Sequence, residues 1–201
     1  LTVSVNDGTG AAVTNTVVIS VTDVNEASPV FAAGDTDSQN VAEVTTVATY
    51  SATDADGTAT LTYSITGGTD SDLFSINSAT GALTFSSAPD YENPGCGAGD
   101  DSNTCTVVLT VSDGTNTDTI TVTATVTDLN EHSPVFSAGS ASAVNVAEGS
   151  TAVGTYTATD SDGTATQTYS IVAAGTDPAS VDHDLFTVNA GSGALTFSSA
   201  P

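Results

Sequence analysis

Residues 21–31, VTDVNEASPVF, return 105 positions later as VTDLNEHSPVF at 126–136. A repeat of that period constrains the fold more than any local signal, because each copy needs its own buried core or must share one with a neighbour. Three pairs of segments carry it: 1–31 with 107–136, 41–65 with 146–171, and 72–89 with 184–201. The last copy holds a short insertion around AAGTDPASVDH. The chain therefore divides into the C-terminal part of one repeat (1–28), a complete repeat (29–133) and the N-terminal part of a third (134–201).

Within each copy the apolar period is two, the signature of a strand with one buried face. DTITVTATV places Ile120, Val122, Ala124 and Val126 on one side and threonines on the other, and TVVLTVS does the same with Val107, Leu109 and Val111. ATYSATD, LTYSIT and GALTFSS read as further short strands between Gly, Asp, Asn and Ser turns. No segment has a helical period. About seven strands per copy predicts an all-β fold of tandem Greek-key, seven-stranded β-sandwiches of immunoglobulin-like architecture, joined end to end. Leu1 corresponds to Val107 and Pro201 to Pro89, so the two outer parts together lack counterparts of 90–106. Two readings stay open: a window of a long tandem array, or a polymer in which residues 1–28 complete the sandwich of the next copy. The window is favoured, because donation would omit the counterparts of Asp90 and Glu92.

Charge narrows the function. The chain has 24 Asp plus Glu, no Lys or Arg, and a net charge of −24. Phosphate binding needs Lys or Arg, so nucleic acid is excluded as a partner and anionic membrane surfaces are disfavoured. No apolar run approaches the ~20 residues of a membrane span, so no membrane insertion is expected in this segment. Carboxylates without cationic partners must be spread in water or neutralised by metal. Cys96 and Cys105 lie close together in NPGCGAGDDSNTC, which predicts a disulfide and an oxidising, extracytoplasmic setting. Two thiols at this spacing make no zinc signature.

Acidic motifs recur at matching positions: Glu43 and Glu148 in VAE; Asp54, Asp56, Asp160 and Asp162 in TDxDGTA; Asp90 and Glu92 in PDYENP; and Asp7 and Asp113 before glycine. The TDxNExSP segments add Asp23, Asn25, Glu26, Asp128, Asn130 and Glu131. These motifs, in this order and with FSINSATGAL at 74–83, resemble the cadherin repeat along essentially the whole chain. The resemblance implies about three Ca²⁺ ions at each junction between successive sandwiches. Ca²⁺ takes 6–8 oxygen ligands from carboxylates, amides and backbone carbonyls, which suits these residue types.

Carried over, the second junction draws on Glu43, Asp90, Glu92, Asp128, Asn130, Glu131, Asp160 and Asp162, with carbonyls of Leu129, His132 and a residue near Thr164. The first draws on Asp23, Asn25, Glu26, Asp54, Asp56 and Asp113, with carbonyls of Val24, Ala27 and Thr58. Asp7 belongs to a junction further upstream, and Glu148 is the counterpart of Glu43. Glu26 and Glu131 depart from the family, which has Asp there; the longer arm alters denticity or weakens one site.

Asp35, Asp37, Asp70, Asp72, Asp118, Asp177, Asp182 and Asp184 match no motif and read as solubilising surface groups, as do Asp100 and Asp101. His132 has Ala27 as its counterpart, so its side chain reads as dispensable, and His183 reads as an exposed loop residue. No nucleophile–His–Asp set, phosphate loop or zinc motif is present, so no enzyme activity is expected within these residues. Absence of Trp leaves strand exchange anchored by that side chain unsupported. The function expected is an extracellular, calcium-stiffened repeat protein for adhesion or fibre building, at the cell surface. Its partners are other copies of itself or a cell-surface ligand. The alternative is a non-catalytic spacer or carbohydrate-binding module of a larger secreted enzyme.

Overall fold

The computed structural model describes residues 1–201 except 58, 98, 100, 140, 141, 164, 165 and 173–181. Strands dominate. Among the described residues there is no α-helix, only single 3₁₀ turns at Ser71–Leu73 and His183–Leu185. Two compact units form. The first comprises Leu1–Gln39, Thr46–Ser86 and Thr106–Ala124; the second comprises Asn40–Thr45, Ser87–Cys105 and Thr125–Pro201.

The first unit carries the main sandwich. A four-stranded sheet has the order Thr36–Ala42, Thr117–Thr127, Thr104–Ser112, Thr62–Gly67. A three-stranded sheet has the order Thr46–Thr49, Ala82–Phe85, Phe74–Ile76, and Val30–Phe31 pairs with Ala52–Thr53. The alternation read from the sequence is the burial pattern found. Val107, Leu109, Val111, Ile120, Val122 and Ala124 are completely buried, and the intervening threonines are not. From the other sheet Phe74, Leu83 and Phe85 enter the core, Phe74 stacked on Phe85 at 4.5 Å between ring centres. Phe31 packs against Tyr63 at 6.2 Å. Gly81 closes the hairpin that aligns these rings; its φ of +70° and its approach to the Tyr50 carbonyl leave no room for a Cβ.

Residues 1–17 form a separate two-stranded ribbon, Thr2–Val5 against Val13–Thr16, closed by Leu1–Val17 main-chain bonds of 2.7 and 3.0 Å. Both its faces are exposed.

The second unit repeats only part of the sandwich. Val135–Phe136 pairs with Ala158–Thr159, and Ala194–Phe197 lies between Ala152–Thr155 and Phe186–Val188. The aromatic geometry is reproduced: Phe186 meets Phe197 at 4.6 Å, and Phe136 meets Tyr169 at 6.3 Å. Gly193 repeats the approach of Gly81, here to the Tyr156 carbonyl. Cys96 and Cys105 are bonded, with Cα atoms 4.9 Å apart.

Three acids read as surface groups are instead structural. Asp70 is only 5 % exposed and accepts the Thr106 N–H at 2.7 Å, where the chain crosses between sheets. Asp118 accepts the Phe31 N–H at 2.9 Å. Asp37 accepts from Gln39 and from the Tyr50 hydroxyl, at 2.7 and 2.8 Å. The Gln39 and Tyr50 bonds hold Asp37 below its ordinary value, while burial and then Asp37 raise the Tyr50 phenol well above its own. Each replaces lost water with a hydrogen bond, which a buried carboxylate requires. Asp177 and Asp100 lie outside the described residues.

The contrast between the copies gives a direct test of this core. Leu109→Ala should cost about 2–5 kcal/mol, the range for truncating a fully buried leucine. Val3→Ala, at the corresponding but half-exposed position, should change stability by less than about 0.5 kcal/mol. Chemical denaturation in dilute solution, followed through the tyrosines, measures both.

Candidate metal centres in two acidic clusters

In the second unit, four motif segments converge. Glu43, Glu92 and Asp128 each offer an oxygen within 4.8 Å of the other two, and Glu92, Glu131, His132 and Asp162 form an overlapping group at the same separation. The backbone sets this geometry. Glu43 spans two segments, its Oε1 accepting the Tyr91 N–H and its Oε2 the Leu129 N–H, both at 2.8 Å. Asn103 donates to the Tyr91 carbonyl at 2.9 Å and Asp90 accepts the Asn93 N–H at 2.9 Å, which shapes the turn that presents Glu92. Asp162, 1 % exposed, accepts the His132 N–H at 2.8 Å and lies 2.9 Å from His132 Nδ1.

Glu92 differs from these. Both of its carboxylate oxygens are buried and neither has a hydrogen-bond partner. Loss of hydration, followed by repulsion from Glu43, Asp128 and Asp162, raises its pKa. Glu131 is raised in the same way, by burial and then by Glu43, Asp162 and Glu92. Burial pushes Asp162 upward too, but the His132 ring and N–H outweigh it and leave the group lowered. His132 is raised, first by its hydrogen bond to Asp162. Its side chain, read from the sequence as dispensable, therefore takes part in the cluster through Asp162. The Ala27 comparison concealed that because Ala27 has only its N–H to offer.

The first unit holds a second cluster. Asp56 accepts the Ala27 N–H at 2.7 Å, and its own N–H donates to Asp54 Oδ1 at 2.8 Å. The other oxygen of Asp54 is buried without a partner. As placed, the Asn25 amide oxygen faces Asp113 Oδ2 and Asp56 Oδ2 at 3.0 and 3.1 Å. Three oxygens at that spacing repel unless the amide turns over to donate or a cation sits among them. Asp113 is held low mainly by the Asn116 and Thr115 N–H groups, each 2.6 Å from Oδ1. Asn116, which the sequence reading did not single out, donates to the Ala27 carbonyl at 2.7 Å.

Other sequence candidates stand apart. Asp23, Val24, Glu26, Asn130 and Glu148 are exposed, and among the described residues no group of three ligand atoms forms around them. Asp7 is exposed and accepts from Thr9. Asp160 caps the Asp162 N–H at 3.2 Å, and the Leu129 carbonyl accepts the Glu131 N–H at 2.9 Å. Thr58 and Thr164 lie outside the described residues.

These sites fit a hard divalent cation. Their donors are almost all oxygens, and buried Glu92 and Asp54 oxygens lack any other partner. Side chains of the first cluster that would hold it are Glu43, Glu92, Asp128, Glu131 and Asp162; those of the second are Asn25, Asp54, Asp56 and Asp113. The ion would neutralise charge that no Lys or Arg in the chain can reach.

Strands in two sheets with acidic clusters at the ends of the repeat motifs define a tandem β-sandwich protein. Its class is narrower than that. The cadherin domain family matches residues 37–131. Protocadherin Fat 1 of Homo sapiens is 34 % identical over 132 residues, which is 62 % of this chain and 3 % of that protein. Among solved structures, human Protocadherin-24 EC1-2 superposes with a TM-score of 0.62 at 25 % identity, covering 88 % of this chain and 79 % of that one. Protocadherin Gamma B2 extracellular cadherin domains 3-6 gives 0.64 at 22 % identity, covering 94 % of this chain and 48 % of that one. The chain is a cadherin-like repeat protein, and it spans only a small part of the curated relative it matches.

Metal-free protein should show an inverted pH response. Glu92 and Glu131 bind protons more tightly when folded than when unfolded, so stability should rise as pH falls from neutrality toward the ordinary carboxyl value of 4.5. Glu92→Gln should raise the melting temperature at neutral pH and flatten that trend. Calorimetry in chelator across this range reads both.

Proposed function

We propose that this protein is an extracellular structural or adhesive repeat protein in which Ca²⁺ holds successive repeats in fixed register. The observation that carries this reading is Glu92: two buried, unpartnered carboxylate oxygens beside Glu43 and Asp128. A solubilising group would be hydrated, and a structural one would be hydrogen-bonded like Asp70 or Asp118. The repeat boundaries proposed are 1–28, 29–133 and 134–201, with about three ions at each junction.

At the second junction the ligands are Glu43, Asp90, Glu92, Asp128, Asn130, Glu131, Asp160 and Asp162, with carbonyls of Leu129 and His132. At the first they are Asp23, Asn25, Glu26, Asp54, Asp56 and Asp113, with carbonyls of Val24 and Ala27. Exposed members such as Asp23 and Glu26 complete the shell by swinging inward. The ions supply charge neutralisation and add cross-bracing between segments that hydrogen bonds to Glu43 and Asp162 already link. The disulfide supports an oxidising compartment, and the cadherin relatives support an adhesive setting at the cell surface. Partners in this reading are further copies of the chain or a surface ligand. Among the described residues, no helix is long and apolar enough to cross a membrane.

Calcium titration with small-angle scattering tests the reading. Binding at ~10⁻⁴–10⁻³ M, the range of extracellular modules, should narrow the distribution of sizes and raise the melting temperature. Glu92→Gln with Asp128→Asn should remove both effects. Scattering curves and melting that coincide in calcium and in chelator would defeat the proposal.

A further inference from the structure

His132 gives one of the acidic groups in the second unit a donor that the others lack. Glu43, Glu92 and Asp128 offer oxygens alone. Glu92, Glu131 and Asp162 are joined by an imidazole, and one ligand atom from each of the four residues lies within 4.8 Å of the rest. His132 Nδ1 is 2.9 Å from Asp162 Oδ1 and 3.6 Å from Glu131 Oε1. The ring is aimed by the backbone. Asp162 Oδ2 accepts the His132 N–H at 2.8 Å while Oδ1 faces the ring, so one buried carboxylate orients both.

Glu92 supplies an independent observation. Both of its oxygens are buried without a hydrogen-bond partner, and the chain has no Lys or Arg to neutralise them. A carboxylate held that way is stabilised by a cation. The donor set says which kind. Ca²⁺ takes oxygen ligands, whereas an imidazole nitrogen suits Zn²⁺ and its first-row neighbours. Three carboxylates and one imidazole match the number and types of donor in a tetrahedral zinc site. Donors bound at zinc distances in a tetrahedron stand about 3.3 Å apart. The 2.9 and 3.6 Å separations straddle that value. The His132 side chain is 45 % exposed, which gives an ion a way in. In the first unit the counterpart of His132 is Ala27, so that cluster has no imidazole to offer.

We propose that Glu92, Glu131, His132 and Asp162 form a mixed nitrogen and oxygen site for Zn²⁺. The ion takes the place of the proton between His132 Nδ1 and Asp162 Oδ1, and the Glu92 and Glu131 carboxylates complete its shell. Zinc bound there ties the linker at 131–132 to the turn at Glu92 and to Asp162. Glu92 belongs to both groups, so zinc and calcium compete for it. The site stands on its own donor set and does not rest on the calcium reading.

Calorimetric titration of the metal-stripped 201-residue chain with zinc chloride, and separately with calcium chloride, tests the proposal. One zinc ion per chain should bind through an imidazole, and excess calcium should weaken its binding. On zinc addition the His132 ring signals in the NMR spectrum should shift while those of His183, the other histidine, stay in place. His132→Ala should weaken zinc binding at least about tenfold, since losing an outer-shell partner alone costs about 10–100-fold. It should not weaken calcium binding, and His183→Ala should leave zinc binding unchanged. Circular dichroism checks the fold of each variant, and the ring signals of the parent chain decide the question without one. A parent chain that binds no zinc, a His132 ring that does not respond, equal zinc affinity in His132→Ala, or loss of zinc binding in His183→Ala would each overturn the proposal. Zinc binding through His132 in a chain that ignores calcium would uphold this site and defeat the calcium reading alone.

Discussion

Everything in this chain is arranged around negative charge that has no Lys or Arg to meet it. A carboxylate taken out of water needs an opposite charge or a set of donors. Here the donors are main-chain N–H groups: those of Tyr91 and Leu129 for Glu43, of Ala27 for Asp56, of Thr106 for Asp70 and of Phe31 for Asp118. Each bond uses an acid as a fastener between segments distant in sequence. The fasteners are used up where the motifs converge, and Glu92 is left buried among like charges. Removing charge from such a group relieves strain that hydrogen bonding has not relieved, and a divalent ion would relieve it more completely. In a chain with salt bridges the same acids would carry far less information.

The apolar side of the structure follows a simpler rule. Each strand of the sandwich contributes one face, and threonine fills the other with a β-branched side chain suited to extended backbone. This lets a chain with 38 % hydrophobic residues and no Trp or Met bury a continuous core. It also makes that core modular. The aromatic pairs recur at nearly the same separations in both units, 4.5 and 4.6 Å for one pair and 6.2 and 6.3 Å for the other.

What could be read in advance follows from the range of each interaction. The inward row at 120–126 was legible because strand alternation is local, and the motif acids were legible because the repeat displays them twice. Glu43, Glu92, Asp128 and Asp162 were named on that basis, and the structure brings them within ligand distance of one another or of shared neighbours. Asp70, Asp118 and Asp37 were not legible as structural. Their partners are an N–H or a hydroxyl set by the tertiary fold, and Asp118 has Val13 as its repeat counterpart, so no internal comparison marks it. The His132 carbonyl was named, but its side chain was read as dispensable for the opposite reason: comparison with Ala27 suggested that the side chain was free to vary. A repeat reveals what is shared between copies and hides what one copy has added.

The addition at His132 also bears on how the linker is held. In the first unit the segment before Pro29 is tied by the Ala27 N–H given to Asp56, by the Ala27 carbonyl accepting from Asn116 and by the Asn25 side chain beside Asp113 and Thr115. In the second, the Leu129 and His132 N–H groups go to Glu43 and Asp162, and the imidazole adds a third link. These bonds fix the backbone that presents the acids. What those bonds leave unrelieved is the repulsion among the carboxylates they hold together. The apolar core, from Val107 to Val126, contains none of these groups, so that repulsion is confined to the acidic clusters.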